Sequence, residues 1–245
     1  MKHNEYIRIV DGTDTAVLMI HGIFGTPRHF DDFLPLISEH WSIYNILLDG
    51  PGKGVKEFSA TSMKKWKKQV DELMAELYAR YDNIYVIAHS MGTLLSLDFC
   101  NKYADKIRAM ILLAVPLKVF LKPISAINSL KLVLGISSDD NPIDVASKNA
   151  HSVSHDAWVW HYAGWIPRYL ELFELIRKVR NNIENITVPC YIFQSRKDEM
   201  VAFSSIKYLQ KNPLFKNNVL ENSMHFYYDT KDYEFLKPSI RKILK

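Results

Sequence analysis

Cysteine is scarce in this chain, whose 245 residues carry only Cys100 and Cys190. They form no C-x-x-C pair and have no histidine at ligand spacing. Neither a disulfide framework nor a zinc site is supported, and two buried free thiols are expected. Long apolar runs are missing as well. None approaches the ~18 residues of a membrane span, and no apolar stretch follows Lys2 as in a secretory leader, so a cytoplasmic protein without stable membrane insertion is expected. There is no H-x-x-x-H pair on a predicted helix with an acidic partner, no acidic calcium loop, no G-x-G-x-x-G and no P-loop pattern, so no metal and no nucleotide or other cofactor is expected. Charge of one sign is not in excess either. The formal net charge is +4, and the densest group (Lys64, Lys65, Lys67, Lys68) is followed by Asp71, Glu72 and Glu76. That reads as a solvated helix face rather than a nucleic-acid or anionic-membrane patch.

What is present is an alternation of two patterns. Short apolar or β-branched runs, "AVLMI" (16–20), "SIYNILL" (42–48), "IYVIA" (84–88), "AMILLAV" (109–115), "CYIFQ" (190–194) and "NNVLEN" (217–222), recur between amphipathic stretches. Most are apolar on both faces, as strands of a parallel sheet covered on each side must be. Residues 62–80 place Trp66, Val70, Leu73, Leu77 and Tyr78 at helical spacing, with Ser62 as N-cap. The expectation is an α/β fold with a mostly parallel sheet and right-handed crossovers. One interval breaks the rhythm. Between Pro116 and Pro189 the chain is far longer than a crossover helix requires, and 155–180 holds Trp158, Trp160, Tyr162, Trp165, Tyr169 and Phe173. We therefore read 1–116 and 186–245 as one core domain and 117–185 as an inserted helical cap lying over the site.

In such sheets ligands bind beyond the carboxyl ends of the strands, so the residues just after each strand carry the chemistry. "IYVIAHSMGT" puts Ser90 on a strand-to-helix turn between Ala88 and Gly92, a G-x-S-x-G pattern with alanine in its first glycine position. A serine there needs a base to take its proton and a carboxylate to fix that base. Of the nine histidines, only His225 lies beyond residue 161, after the last strand-like run. Asp198 follows the strand "CYIFQ", with Glu199 as its nearest rival. Nucleophile, acid and base thus occur in a known chain order, each after a strand. The N–H of Met91, at the helix start, and that of Ile23, in "HGIFGT", are the expected oxyanion donors. His21 and His89 are expected in supporting roles.

With these motifs the chain resembles the α/β-hydrolase superfamily, in particular its bacterial carboxylesterase and monoacylglycerol lipase-like branch. The resemblance runs from "LMIHGIFGT" through "LLDGPGKG" and "IAHSMGTLLSL" to "IFQSRKDEMV" and "NSMHFYYD" and is weakest in the cap. It implies a triad of Ser90, Asp198 and His225, an oxyanion hole from Ile23 and Met91, and a cap that shapes the acyl or alcohol pocket. Ala88 and Lys53 depart from the branch, Lys53 standing where many relatives have histidine. The expected activity is a cofactor-independent serine hydrolase acting on a small-molecule carboxylic ester with an apolar group. Phe24 and the cap aromatics, Trp158 among them, are expected to touch that group. Thioesterase, C–C hydrolase, peptidase and a non-catalytic ligand-binding protein of the same fold are the alternatives.

Overall fold

The computed structural model describes residues 4–51, 54–119 and 163–245. Its centre is a seven-stranded sheet in the order β1-β3-β2-β4-β5-β6-β7. The strands are β1 (Tyr6–Arg8), β2 (Thr15–Ile20), β3 (Ser42–Ile46), β4 (Asn83–His89), β5 (Ile107–Leu113), β6 (Cys190–Ser195) and β7 (Phe215–Leu220). Only β1 runs antiparallel, pairing with β3, and the other five pairings are parallel. The last strand begins at Phe215, two residues before the apolar run suggests, because Phe215 opens the ladder opposite Cys190.

Alternation along each strand divides the core in two. Ala16, Leu18 and Ile20 of β2 face one apolar cluster together with Ile84, Val86 and Ala88 of β4. Val17 and Met19 face the other together with Tyr85 and Ile87. The first cluster is closed by helices α1 (Val55–Ala60), α2 (Met63–Arg80), α3 (Met91–Phe99) and α4 (Trp165–Asn182). The second is closed by the 3-10 segment Pro27–Leu36, through Phe30, Phe33 and Leu36, and by a C-terminal helix through Leu236 and Ile240. That helix, α6 (Thr230–Ile243), follows the one-turn α5 (Ile206–Leu209). Helix α2 buries Met63, Trp66, Val70, Met74 and Leu77, and the Ser62 hydroxyl caps it by accepting the Lys65 N–H at 3.2 Å.

Of the long interval after β5, α4 is described, and its Leu172, Leu175, Ile176 and Val179 are buried in the first cluster. Trp158, Trp160 and Tyr162, like Lys53, lie outside the described residues. Among the described residues no helix is long and apolar enough to cross a membrane. Cys100 and Cys190 are both buried and free. The lysine-rich face of α2 is partly neutralised, by Lys67 on Asp98 at 3.0 Å and Lys68 on Glu72 at 3.6 Å.

Candidate active site

Parallel register aligns the carboxyl ends of the strands along one edge. Ile20 pairs with Ala88, His89 with Leu113 and Ser195 with Leu220. The chain therefore leaves β2, β4, β6 and β7 in one place, and the loops that follow carry Ile23, Ser90, Asp198 and His225.

Ser90 stands between β4 and α3 with φ 51° and ψ −124°. Its N–H donates to the Leu113 carbonyl at 3.0 Å, and its carbonyl accepts the Thr93 N–H at 2.9 Å. Among the described residues the only other non-glycine with positive φ is Ala114, just after β5 on the neighbouring strand. Backbone strain is thus concentrated at this edge. The turn needs Gly92, where a Cβ would come within 2.1 Å of the Ile20 carbonyl oxygen. It does not need glycine at Ala88, whose methyl group is buried in the core and whose φ is not positive.

Asp198 lies in the loop after β6. One carboxylate oxygen accepts the N–H groups of Met200 and Val201 at 2.8 and 2.7 Å, which fixes the plane of the group. The other meets His225 Nδ1 at 2.8 Å. His225 Nε2 in turn is 3.1 Å from Ser90 Oγ. The His225 loop owes its shape to Asp232 of α6, which accepts the N–H groups of Glu221, Asn222 and Ser223 at 3.0, 2.7 and 2.7 Å. A further bond, from Ser195 Oγ to the Ser223 carbonyl, ties this loop to the end of β6.

Electrostatics separate the histidines. Burial pulls the His225 pKa down, but the Asp198 carboxylate, bonded to the ring, and the Glu199 charge outweigh it and hold the pKa above the ordinary value. His89 and His29 go the other way. Burial, joined by the charges of neighbouring histidines, holds His89 well below the ordinary value and His29 at about 3. His21 is bonded through both ring nitrogens, to the Gly22 carbonyl at 2.7 Å and to the Leu48 N–H at 3.0 Å, and so ties its own loop to the segment after β3.

The sequence-derived site residues that lie within the described residues are therefore brought to one edge. Glu199, the rival acid, is not on the imidazole: its carboxylate accepts the His225 backbone N–H at 3.0 Å. Gly22 packs against Ser90, a Cβ there coming within 2.9 Å of Ser90 Cβ, so Ile23 leaves the loop beside the serine. Met91 is the first residue of α3, where an N–H has no carbonyl one turn earlier. Phe24 is buried and packs with Phe58 and Trp165, both at 5.2 Å between ring centroids, and with Tyr169 at 6.1 Å. The packing of His29 against His89, with centroids 4.0 Å apart, has no periodic signal in the sequence because the 3-10 segment carries it.

A mostly parallel seven-stranded sheet flanked by helices, with a serine on the strand-to-helix turn after β4, defines an α/β-hydrolase. More particularly, residues 12–225 match the sequence profile of the family described as serine aminopeptidase, S33, and the chain belongs to that family of hydrolases. No curated protein sequence matches it. Among solved structures it is similar to one from the study of the metagenome-derived lipolytic enzymes LipS and LipT (TM-score 0.72, 16% identity, 99% of this chain and 97% of that chain). It is also similar to the monoacylglycerol lipase of Paleococcus ferrophilus (TM-score 0.70, 18% identity, 100% and 98%). A third likeness is to CumD, a meta-cleavage product hydrolase of Pseudomonas fluorescens IP01 (TM-score 0.64, 14% identity, 98% and 93%). At these identities the likeness is one of fold.

Proposed function

We propose that this protein is a serine hydrolase of carboxylic esters that works through an acyl-enzyme on Ser90. The observation that carries the reading is the unbroken chain Ser90 Oγ, His225, Asp198, with contacts of 3.1 and 2.8 Å. Ser90 attacks the ester carbonyl while His225 Nε2 takes its proton and then gives it to the leaving alcohol. Asp198 keeps the imidazole in the tautomer with Nδ1–H and stabilises the imidazolium. The Ile23 and Met91 N–H groups hold the oxyanion, each worth about 10²–10³ in rate. Water then attacks the acyl group by the same route, with His225 again as base.

The ring cluster of Phe24, Phe58, Trp165 and Tyr169 next to the oxyanion loop supports an apolar acyl or alcohol group over a charged peptide. Residues 117–185 form the cap insertion in this reading, with α4 seated on the core; Trp158, the other aromatic expected to touch substrate, lies outside the described residues.

Hydrolysis of p-nitrophenyl butyrate tests the assignment. Ser90→Ala is expected to lose about four to six orders of magnitude in kcat, and a fluorophosphonate is expected to label Ser90 in the parent protein. A Ser90→Ala protein as active as the parent overturns the reading. A panel of esters of rising acyl length, with acyl thioesters and a C–C cleavage substrate beside them, separates esterase from the other hydrolase chemistries.

A further inference from the structure

His225 sits in a loop that follows the last strand, so its main-chain N–H and C=O have no sheet ladder to join, and buried groups of this kind require partners. Both find them in buried ionisable side chains. The Glu199 carboxylate accepts the His225 N–H at 3.0 Å, and His89 Nε2 lies 2.9 Å from the His225 carbonyl oxygen. A carbonyl can only accept, so His89 carries its proton on Nε2. Its Nδ1 is then a bare acceptor, buried and without a hydrogen-bond partner among the described residues.

As ways of satisfying one neutral N–H and one neutral carbonyl, these are costly choices. A buried carboxylate gives up hydration that an amide would not, and the His89 ring leaves a nitrogen unpaired. Their positions in the chain account for the choice. Glu199 directly follows Asp198, and His89 directly precedes Ser90. Each is the chain neighbour of a side chain that meets the His225 ring, so each main-chain bond links the base loop to one of the two other loops.

We propose that His89 and Glu199 are positioning residues that clamp the main chain of His225 from its two sides, so that the loops bearing Ser90, Asp198 and His225 move as one body. The proposal rests on the Ser90–His225–Asp198 reading above. Asp198 alone fixes the ring at one nitrogen and leaves the Cα free to drift, whereas bonds at the N–H and the C=O fix the Cα itself. The imidazole must serve two oxygens in turn, Ser90 Oγ and the leaving alcohol, and a misplacement of about 1 Å can cost about 10²-fold in rate. Glu199 has a second effect that His89 lacks. Its negative charge favours the imidazolium formed when Ser90 gives up its proton. Among the described residues the titratable and charged groups facing His225 are Asp198 and Glu199 from the loop after β6, His89 from β4 and His29 from the 3-10 segment.

The test is kcat and KM for p-nitrophenyl butyrate from pH 5 to 9 in Glu199→Ala, Glu199→Gln, His89→Leu and His89→Gln, each checked for folding by thermal melting. Glu199→Ala and His89→Leu are expected to lower kcat by about 10–100-fold with KM changed less than about threefold. The glutamine variants keep an acceptor and a donor in place and are expected to recover to within about fivefold of the parent. Glu199→Gln should also move the acid limb of kcat/KM down by about one pH unit, and His89→Gln should leave it where it is. If the truncations unfold, the two glutamine variants decide, and kcat more than about fivefold below the parent in both, with folding intact, overturns the clamp. An unmoved acid limb in Glu199→Gln overturns the charge role, and kcat within about threefold of the parent in both folded truncations overturns the clamp. With Ser90→Ala inactive and Ser90 labelled, such a failure belongs to the clamp alone. An active Ser90→Ala protein removes the reading beneath it and the clamp with it.

Discussion

Ser90 has φ 51° and ψ −124°, a backbone region that a residue with a Cβ occupies at a cost of about 1–3 kcal/mol. Glycine occupies it without that cost. Ser90→Ala and Ser90→Gly both lose the hydroxyl and its contact with His225, so the difference between them isolates the backbone term. Ser90→Gly is expected to be the more stable by about 1 kcal/mol, or about 2–4 °C in a chain of this length, read by differential scanning calorimetry. Equal melting temperatures, or the reverse order, would show that the turn is not strained. At this scale much of the candidate site was legible beforehand, because residue types in a fixed chain order after strands carry chemical meaning. The unequal roles of the two small positions were not. A pattern cannot show that a Cβ at 92 strikes a neighbouring carbonyl while the Ala88 methyl has room. Nor can it show that Glu199, next to Asp198, turns to the His225 backbone instead of its ring.

Helices α1 and α4 meet more closely than ordinary side chains allow. A Cβ on Gly164 would come within 2.5 Å of Ser59 Cβ and 2.7 Å of its hydroxyl. The contact is reinforced by Trp165, whose ring packs against Phe58, tilted at 58° with centroids 4.9 Å apart, and whose indole N–H donates to the Val55 carbonyl. Glu171 of α4 also accepts the Met63 N–H at the start of α2 at 2.9 Å. Gly164→Ala must push these helices apart, and its expected cost is about 1–3 kcal/mol in urea unfolding. Because Phe24 packs on Trp165 and adjoins Ile23, the same variant is expected to lower turnover of p-nitrophenyl butyrate as well as stability. An unchanged urea midpoint would show that the approach of the two helices has slack. The central strands and α2 could be read from period and burial, but three elements could not. Strand β1 has three residues at the sheet edge, the 3-10 segment carries Pro35 and no α-helical period, and α6 carries Pro238 in its interior. Each takes its form from tertiary packing rather than from a local pattern.

For the whole molecule, the histidine cluster sets stability and activity against each other across neutral pH. His29 and His89 have folded pKa values below the unfolded value of about 6.5. The stability they contribute is complete above that pH and is lost as pH falls from there, down to about 3 for His29. The loss is up to about 1.4 kcal/mol per pH unit for each histidine. His225 has a raised folded pKa. Its contribution is complete below about 6.5 and is lost as pH rises through the folded value. Below pH 6.5 only the first pair changes the balance, and above it only His225 does, so among the described histidines with resolved shifts the effects cross near there. The melting temperature is expected to peak close to pH 6.5 and to fall on both sides. The proposed ester hydrolysis needs neutral His225 as base, so under that proposal kcat/KM is expected to rise through the same window in which the folded state weakens, with its acid limb above the ordinary histidine value. His29→Asn removes one of the two acid-side terms, and should flatten the fall in melting temperature below pH 6.5 while leaving the alkaline slope intact. A melting temperature that climbs steadily from pH 6.5 to 8.5 would mean that His225 is not held protonated by Asp198 and Glu199. The offset between the two optima would then have no basis.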